Sequence, residues 1–254
     1  MAVDRQKKKD CWMRGVEDDV EETEGDWRIQ TPCRLELLGP SGSGKSSLIL
    51  KMIEDDSIFD RPCRHVAYCA PALEDRRNYV EELQNVVDRV GKKICYLTEL
   101  PHPDQLLSFS QGMPVLVFLD DLPMFENLKG LDSLVGMFAR HLNLNLVMAV
   151  QNHFLKRSGI DFSFVSRNLT GMIVLGNRAD AWVLTLLNTR LCPEKKNFLR
   201  DCLADAHENQ GCDYIYINLH PHATLSRKLM VATRLFAGER LGPSPLLYVL
   251  DTTG

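Results

Sequence analysis

Arg34-Leu-Glu-Leu-Leu38, followed by Gly39-Pro40-Ser41-Gly42-Ser43-Gly44-Lys45-Ser46-Ser47, is the stretch on which the reading of this chain turns. Its second part fits G-x-x-x-x-G-K-[ST] at every fixed position. Glycines at 39, 42 and 44 let the backbone curl until successive N–H groups point inward and form a nest for an anion. The nest sits at the positive end of the helix predicted over Lys45–Glu54, where a polyphosphate is favoured twice over. The phosphate contacts are accordingly assigned to residues 39–47, with Lys45 reaching the β- and γ-phosphates and the Ser46 hydroxyl on Mg²⁺. The apolar strand before the loop and the Ser47-Leu-Ile-Leu-Lys-Met-Ile53 helix after it supply the context that the motif requires.

Outward from the loop, short apolar runs alternate with longer amphipathic ones, the pattern of a mainly parallel sheet with helices on both faces, an α/β fold. Strands are predicted over Arg34–Leu38, His65–Ala70, Ile94–Leu97, Val115–Leu119, Leu146–Val150, Met172–Leu175 and Tyr214–Leu219. Helices are predicted over Lys45–Glu54, Leu73–Val90, Met124–His141, Asp180–Leu191 and Glu194–Glu208. Runs such as Val115-Leu-Val-Phe-Leu119 and Leu146-Val-Met-Ala-Val150 are apolar at every position and predict strands buried on both faces. With no repeat and no low-complexity linker, one domain over residues 27–254 is expected. Residues 1–26 carry Lys7-Lys8-Lys9, then an acidic stretch with few apolar residues, and read as a flexible charged arm.

Two further strand ends carry chemistry. Val115–Leu119 runs into Asp120-Asp121, the shape of a Walker B element. Asp120 can share the Mg²⁺ with Ser46, and Asp121 can orient or deprotonate an attacking water. Leu146–Val150 runs into Gln151-Asn152, and several strands ending in polar groups would converge on the sheet edge where α/β ligands bind. Gln151 is therefore a candidate γ-phosphate sensor.

Composition narrows the function classes. The 254 residues are 44% hydrophobic and 25% charged, ordinary for a soluble globular chain, with a net charge of −4. That balance argues against a protein that coats nucleic acid through general basicity, and requires any DNA contact to be local. Eight cysteines occur with no CxxC pair and no histidine at metal-ligand spacing, so they read as free thiols in a reducing compartment. No apolar run is long enough to span a bilayer and no secretory signal opens the chain. An intracellular, soluble protein without a membrane partner is expected.

The ordered motifs Gly-Pro-Ser-Gly-Ser-Gly-Lys-Ser at 39–46, Val-Phe-Leu-Asp-Asp at 117–121, Ala-Val-Gln-Asn-His-Phe at 149–154, Ser-Arg-Asn-Leu-Thr at 166–170 running to Asn177-Arg178-Ala179-Asp180, and Asp213-Tyr-Ile-Tyr-Ile-Asn-Leu-His-Pro221 resemble a known family. It is that of the DNA-packaging ATPases of Polinton/Maverick elements and adintovirus-like viruses, in the FtsK/HerA superfamily alongside the poxvirus packaging ATPases. The resemblance runs over residues 33–250. It implies a strand order in which the glutamine strand lies between the Walker A and Walker B strands. It implies ATP and Mg²⁺ as cofactors, with Gln151 facing the γ-phosphate. It also implies a homo-oligomeric ring that moves double-stranded DNA into a capsid, with capsid components as partners and a host nucleus, viral assembly site or virion as the place of action. Arg178 and Arg167 are the candidates for an arginine supplied in trans. The chain departs from the family at Asp121, where Glu is usual, and at Ala179, where Pro is common.

Other readings remain open on the residues alone. Asn177-Arg178-Ala179-Asp180 is similar to the guanine-reading N-K-x-D of GTPases, but no glycine follows Asp120 as a D-x-x-G switch requires. A small-molecule kinase would need an arginine-rich lid, for which Arg61 and Arg76-Arg77 are the available residues. A nucleotide-gated scaffold without turnover is the third. Lys156-Arg157 and Arg227-Lys228 are the basic pairs available to track DNA phosphates. His220 and His222 lack a third ligand nearby.

Overall fold

The structure, a computed structural model, describes residues 27–139, 142–153, 162–176, 181–220, 230–240 and 245–249. Among these residues one nine-stranded sheet forms the frame. In chain order the strands are β1 (Arg34–Leu38), β2 (His65–Cys69), β3 (Lys93–Leu97), β4 (Val115–Leu119), β5 (Leu144–Val150), β6 (Gly171–Leu175), β7 (Tyr214–Asn218), β8 (Met230–Thr233) and β9 (Leu246–Val249). Their spatial order is β3-β2-β4-β5-β1-β6-β7-β8-β9. The pairs from β3 through β6 are parallel, whereas β6-β7, β7-β8 and β8-β9 are antiparallel. The expected mainly parallel α/β architecture is thus present, and β5 lies between β1 and β4.

The fully apolar strands divide their side chains between two cores, as a period of two dictates. Val115, Val117 and Leu119 join one cluster with Leu146, Met148, Val183, Leu184, Leu187 and Phe198. Leu116 and Phe118 join the other with Leu35, Leu37, Ile49, Met52, Leu83 and Val86. One face is therefore covered by α1 (Lys45–Glu54) and α2 (Arg77–Arg89), and the opposite face by α5 (Ala181–Leu191) and α6 (Phe198–Gln210). Each fully buried Leu, Val or Phe is worth about 1.5–3 kcal/mol. Exposing either face would cost many such terms, which fixes the strand register. Two further helices, α3 (Pro103–Ser110) and α4 (Phe162–Asn168), precede β4 and β6.

Several expectations are corrected. The helix predicted over Met124–His141 is not continuous: a 3-10 turn at Leu122–Met124 gives way to a loop. Gly130, at φ +93°, then starts a short helix, Leu131–Ser133, which runs into a π-helical stretch, Leu134–Phe138. Its apolar spacing was real, since Leu128, Leu131, Leu134 and Val135 are buried, but Pro123 and Gly130 punctuate the chain. The helix predicted from Leu73 begins at Arg77, after a 3-10 turn at Glu74–Arg76. The helix predicted over Glu194–Glu208 spans Phe198–Gln210. Asn188 sets that start by donating to the Lys195 carbonyl at 2.6 Å and accepting from the Leu199 N–H at 3.0 Å. β8, β9, α3 and α4 were not predicted. All four are short, and α3 is marked in sequence only by Pro103 at its first turn and a capping box between His102 and Gln105.

Among the described residues no helix is long and apolar enough to cross a membrane.

Candidate functional site

The loop follows directly from the hydrogen bonding of β1. Leu38 pairs with Val150 on β5 and with Val174 on β6, and the Gly39 N–H donates to the Val150 carbonyl at 3.2 Å. Gly42 and Gly44 then take φ of +77° and +95°, a left-handed backbone that other residues adopt only at a cost. A Cβ at Gly39 would lie 2.5 Å from Ser43 Oγ and 3.1 Å from Leu175 Cβ, so any side chain there crowds both neighbours. Gly44 caps α1, whose first turn holds no acidic residue. The positive end of the helix dipole is left open to an anion.

Lys45 is buried at 8% exposure and donates to the carbonyls of Gly39 and Pro40 at 2.6 and 2.7 Å. Burial pulls its pKa below the ordinary lysine value, against the pull of Asp121 and Asp120, which favour the charge. The Ser43 hydroxyl is buried with no hydrogen-bond partner. A donor that costs free energy when left unpaired, beside a cradle that a Cβ would fill, fits a polyphosphate. Among the described residues no group of three or more His, Cys, Asp or Glu could hold a metal. A cation held by Ser46 and Asp120 would draw its remaining ligands from phosphate oxygens and water, as Mg²⁺ does.

The acid end is built across the sheet. Asp120 is 2% exposed, and its N–H donates to the Cys69 carbonyl of β2 at 2.9 Å. Neighbouring strand residues point to opposite faces. Asp121, however, adopts φ +51°, and the chain turns so that both carboxylates meet one guanidinium. Arg76 Nη1 donates to Asp120 Oδ2 at 2.7 Å, and Nη2 donates to Asp121 Oδ2. The Tyr68 hydroxyl donates to the same Asp120 Oδ2 at 2.6 Å, and the Asp121 N–H to Asp120 Oδ1 at 3.0 Å. Burial lowers the Arg76 pKa, but Asp120, Tyr68 and Asp121 outweigh it and hold the guanidinium above its ordinary value. Burial, and then Asp120, push the Tyr68 phenol well above the tyrosine range. Tyr79, in the first turn of α2, donates to the Ser46 carbonyl at 2.9 Å and ties α2 to the loop helix.

Gln151 is exposed at the end of β5, and lines one hollow with Gly39, Leu175, Val183 and Leu184. The three strand ends predicted to converge do so: β1, β4 and β5 are adjacent and parallel, and the loop, the paired acids and Gln151 share one edge. Arg167 is exposed in the last turn of α4. The chain then enters β6 at its start, where Thr170 N–H donates to the Arg34 carbonyl. Arg167 thus stands at the opposite end of the sheet from this chain's own loop. Arg178 lies outside the described residues, as do Asp180, Lys156-Arg157, His222 and Arg227-Lys228.

Two parts of the site escaped sequence reasoning. Arg76 was visible only as one of the arginines available to a kinase lid, and nothing local tied it to residues 44 and 45 positions away. Glu36 and His153 form the second: both are buried, with His153 Nδ1 2.9 and 2.7 Å from the two Glu36 carboxylate oxygens and Nε2 3.5 Å from Ser166 Oγ. This pair anchors the chain two residues beyond Gln151 against the interior of β1. A glutamate inside an apolar strand was its only signal.

No family model matches this chain, and no curated protein does. Two solved structures of the genome packaging NTPase B204 from Sulfolobus turreted icosahedral virus 2 are similar to it, one in complex with AMPPCP and one with ATP-gammaS. They are 15% and 13% identical, with TM-scores of 0.39 and 0.38, and each match covers 74% of this chain and 93% of the other. A likeness of that degree adds nothing to what the sheet and its edge display themselves: an α/β fold with a mostly parallel sheet and a phosphate-type loop leading from its central strand into a helix.

Proposed function

We propose that this chain is an Mg²⁺-dependent ATPase, and that it works as a ring of identical subunits to move double-stranded DNA during genome packaging. The observation that carries the hydrolytic part is the meeting, at one sheet edge, of the Lys45 loop, the Asp120-Asp121 pair and Gln151, with β5 between β1 and β4. The motor part is supported by the resemblance of the ordered motifs over residues 33–250 and by the place of β5.

Bound Mg²⁺ would screen the negative charge of the triphosphate and of its transition state. The chain's own contributions are separable. The loop amides and Lys45 hold the phosphates, and Lys45 can exchange its two carbonyl partners for phosphate oxygens without leaving the loop. Ser46 and Asp120 would supply hard oxygen ligands to the Mg²⁺. Asp121 accepts a proton from, or orients, the attacking water, with a shorter reach than the Glu that is common in its place. Gln151 reads the γ-phosphate as a neutral donor.

The test is ATP turnover by the wild type and by Lys45→Ala and Asp121→Asn, with and without double-stranded DNA, with particle size measured in the same samples. Lys45→Ala is expected to lose about 10²-fold or more in turnover, since it removes a phosphate contact. Asp121→Asn should lower kcat more than it weakens ATP binding. A monomer whose turnover ignores DNA would overturn the motor reading, and turnover that survives Lys45→Ala would overturn the site.

A further inference from the structure

The two carboxylates assigned to metal and water already hold a cation of the chain's own. We propose that Arg76 is an internal rival of Mg²⁺ for Asp120, so that it sets how much Mg²⁺ the nucleotide site requires. This rests on the nucleotide-binding reading above.

An ionised carboxylate offers about four acceptor positions. Three at Asp120 are taken: Oδ1 by the Asp121 N–H, and Oδ2 by Tyr68 at 2.6 Å and Arg76 at 2.7 Å. One position is left, on Oδ1, and a metal that takes it meets the guanidinium's charge at the same carboxylate. Tyr68 is fully buried within β2 and is not free to withdraw. Arg76 ends the 3-10 turn Glu74–Arg76, where the chain changes direction into α2, and its side chain is 29% exposed. Arg76 is the donor that can move. It also carries a full positive charge, so guanidinium and metal repel at one carboxylate, whereas the neutral phenol does not.

The same short stretch reaches the other side of the metal position. Tyr79, three residues beyond Arg76, donates to the carbonyl of Ser46, whose hydroxyl is the second assigned ligand. Release of Arg76 thus acts at the start of the helix that α1 is tied to. Because Arg76 holds Asp121 as well, its departure frees the acid assigned to water at the moment the metal position fills.

The experiment follows binding of a fluorescent ATP analogue while Mg²⁺ is titrated, and needs no hydrolysis. Wild type, Arg76→Ala, Arg76→Lys and Arg77→Ala are compared, each with its unfolding temperature. Arg76→Ala is expected to lower the half-saturating Mg²⁺ concentration about tenfold, the scale of one charge-assisted hydrogen bond. Arg76→Lys should shift it less, because an ammonium holds one acid where the guanidinium fork holds two. Arg77→Ala, which removes the exposed charge that opens α2, should leave it unchanged. A half-saturation for Arg76→Ala at or above the wild-type value overturns the proposal. If that variant does not fold, Arg76→Lys alone decides, and a wild-type Mg²⁺ requirement overturns it. Wild-type binding that Lys45→Ala abolishes secures the nucleotide reading independently. Folded wild type that binds no analogue at saturating Mg²⁺ overturns both.

Discussion

The loop half of the site spans Gly39–Ser46, and nearly every contact in it is made within that stretch or with the strands beside it. The acid half draws Tyr68 from β2, Arg76 from the turn after β2, and Asp120 and Asp121 from the end of β4. In the loop half a single buried cation, Lys45, leans on main-chain carbonyls, and burial works against its charge. In the acid half two carboxylates, a guanidinium and a phenol satisfy one another, and each depends on the rest. One half is a backbone shape with one charge added, and the other is a network of side chains that stands or falls together.

The sharpest way to break this comparison is to remove one charged residue from each half and measure unfolding. Asp120→Ala removes the acceptor of the Tyr68 O–H and leaves Arg76 with Asp121 and the Tyr68 oxygen, and should cost about 2–4 kcal/mol of stability. Lys45→Ala, although expected to lose most turnover, should change stability by no more than about 1 kcal/mol, because the charge it removes is one that burial disfavours. Equal losses in chemical denaturation would erase the distinction between the halves.

A second test addresses the claim that the loop is specified by backbone space. Gly39→Ala places a methyl against Ser43 Oγ and Leu175 Cβ, and should cost about 1–3 kcal/mol as overpacking. Adding Ser43→Ala removes the nearest atom and should recover part of that loss in thermal unfolding. No recovery would point to the β6 side, at Leu175, as the real limit.

The smallest effect is one of pH. Lys45 has a folded pKa below its ordinary 10.5, so between the two values the unfolded chain binds more protons and this group favours folding as pH rises. Nucleotide affinity runs the other way, since deprotonation removes the charge that meets the phosphates. Affinity for the ATP analogue should therefore begin to fall at a pH below 10.5, while the protein is still folded by circular dichroism. Affinity that stays flat until the protein unfolds would show that Lys45 does not meet the phosphates as a buried cation.

Much of the frame was legible because its signals are local. Val115–Leu119 and Leu146–Val150 are apolar at every position, and only a strand covered on both faces satisfies them. The loop was legible because Gly42, Gly44 and Lys45 form a contiguous pattern with one structural use. The break between Pro123 and Leu131 was hidden by helical spacing in Leu128, Leu131, Leu134 and Val135, which stay buried although the backbone is not one helix. β8 and β9 are four-residue strands whose pairing comes from β7 and from each other, so propensity had little to read.

The amino-acid order by itself determined the phosphate cradle, its helix and the apolar strands, because each depends on dihedral freedom, periodicity and burial within a few consecutive residues. Only the tertiary structure decided what surrounds the acids. Arg76 lies more than forty residues before Asp120 and Asp121, and His153 more than a hundred beyond Glu36. Such pairs form when parallel strands distant in the chain are brought side by side, and neither member carries a mark of the other beforehand. A charge in a sequence announces that it needs a partner, and the sheet order determines which one it receives.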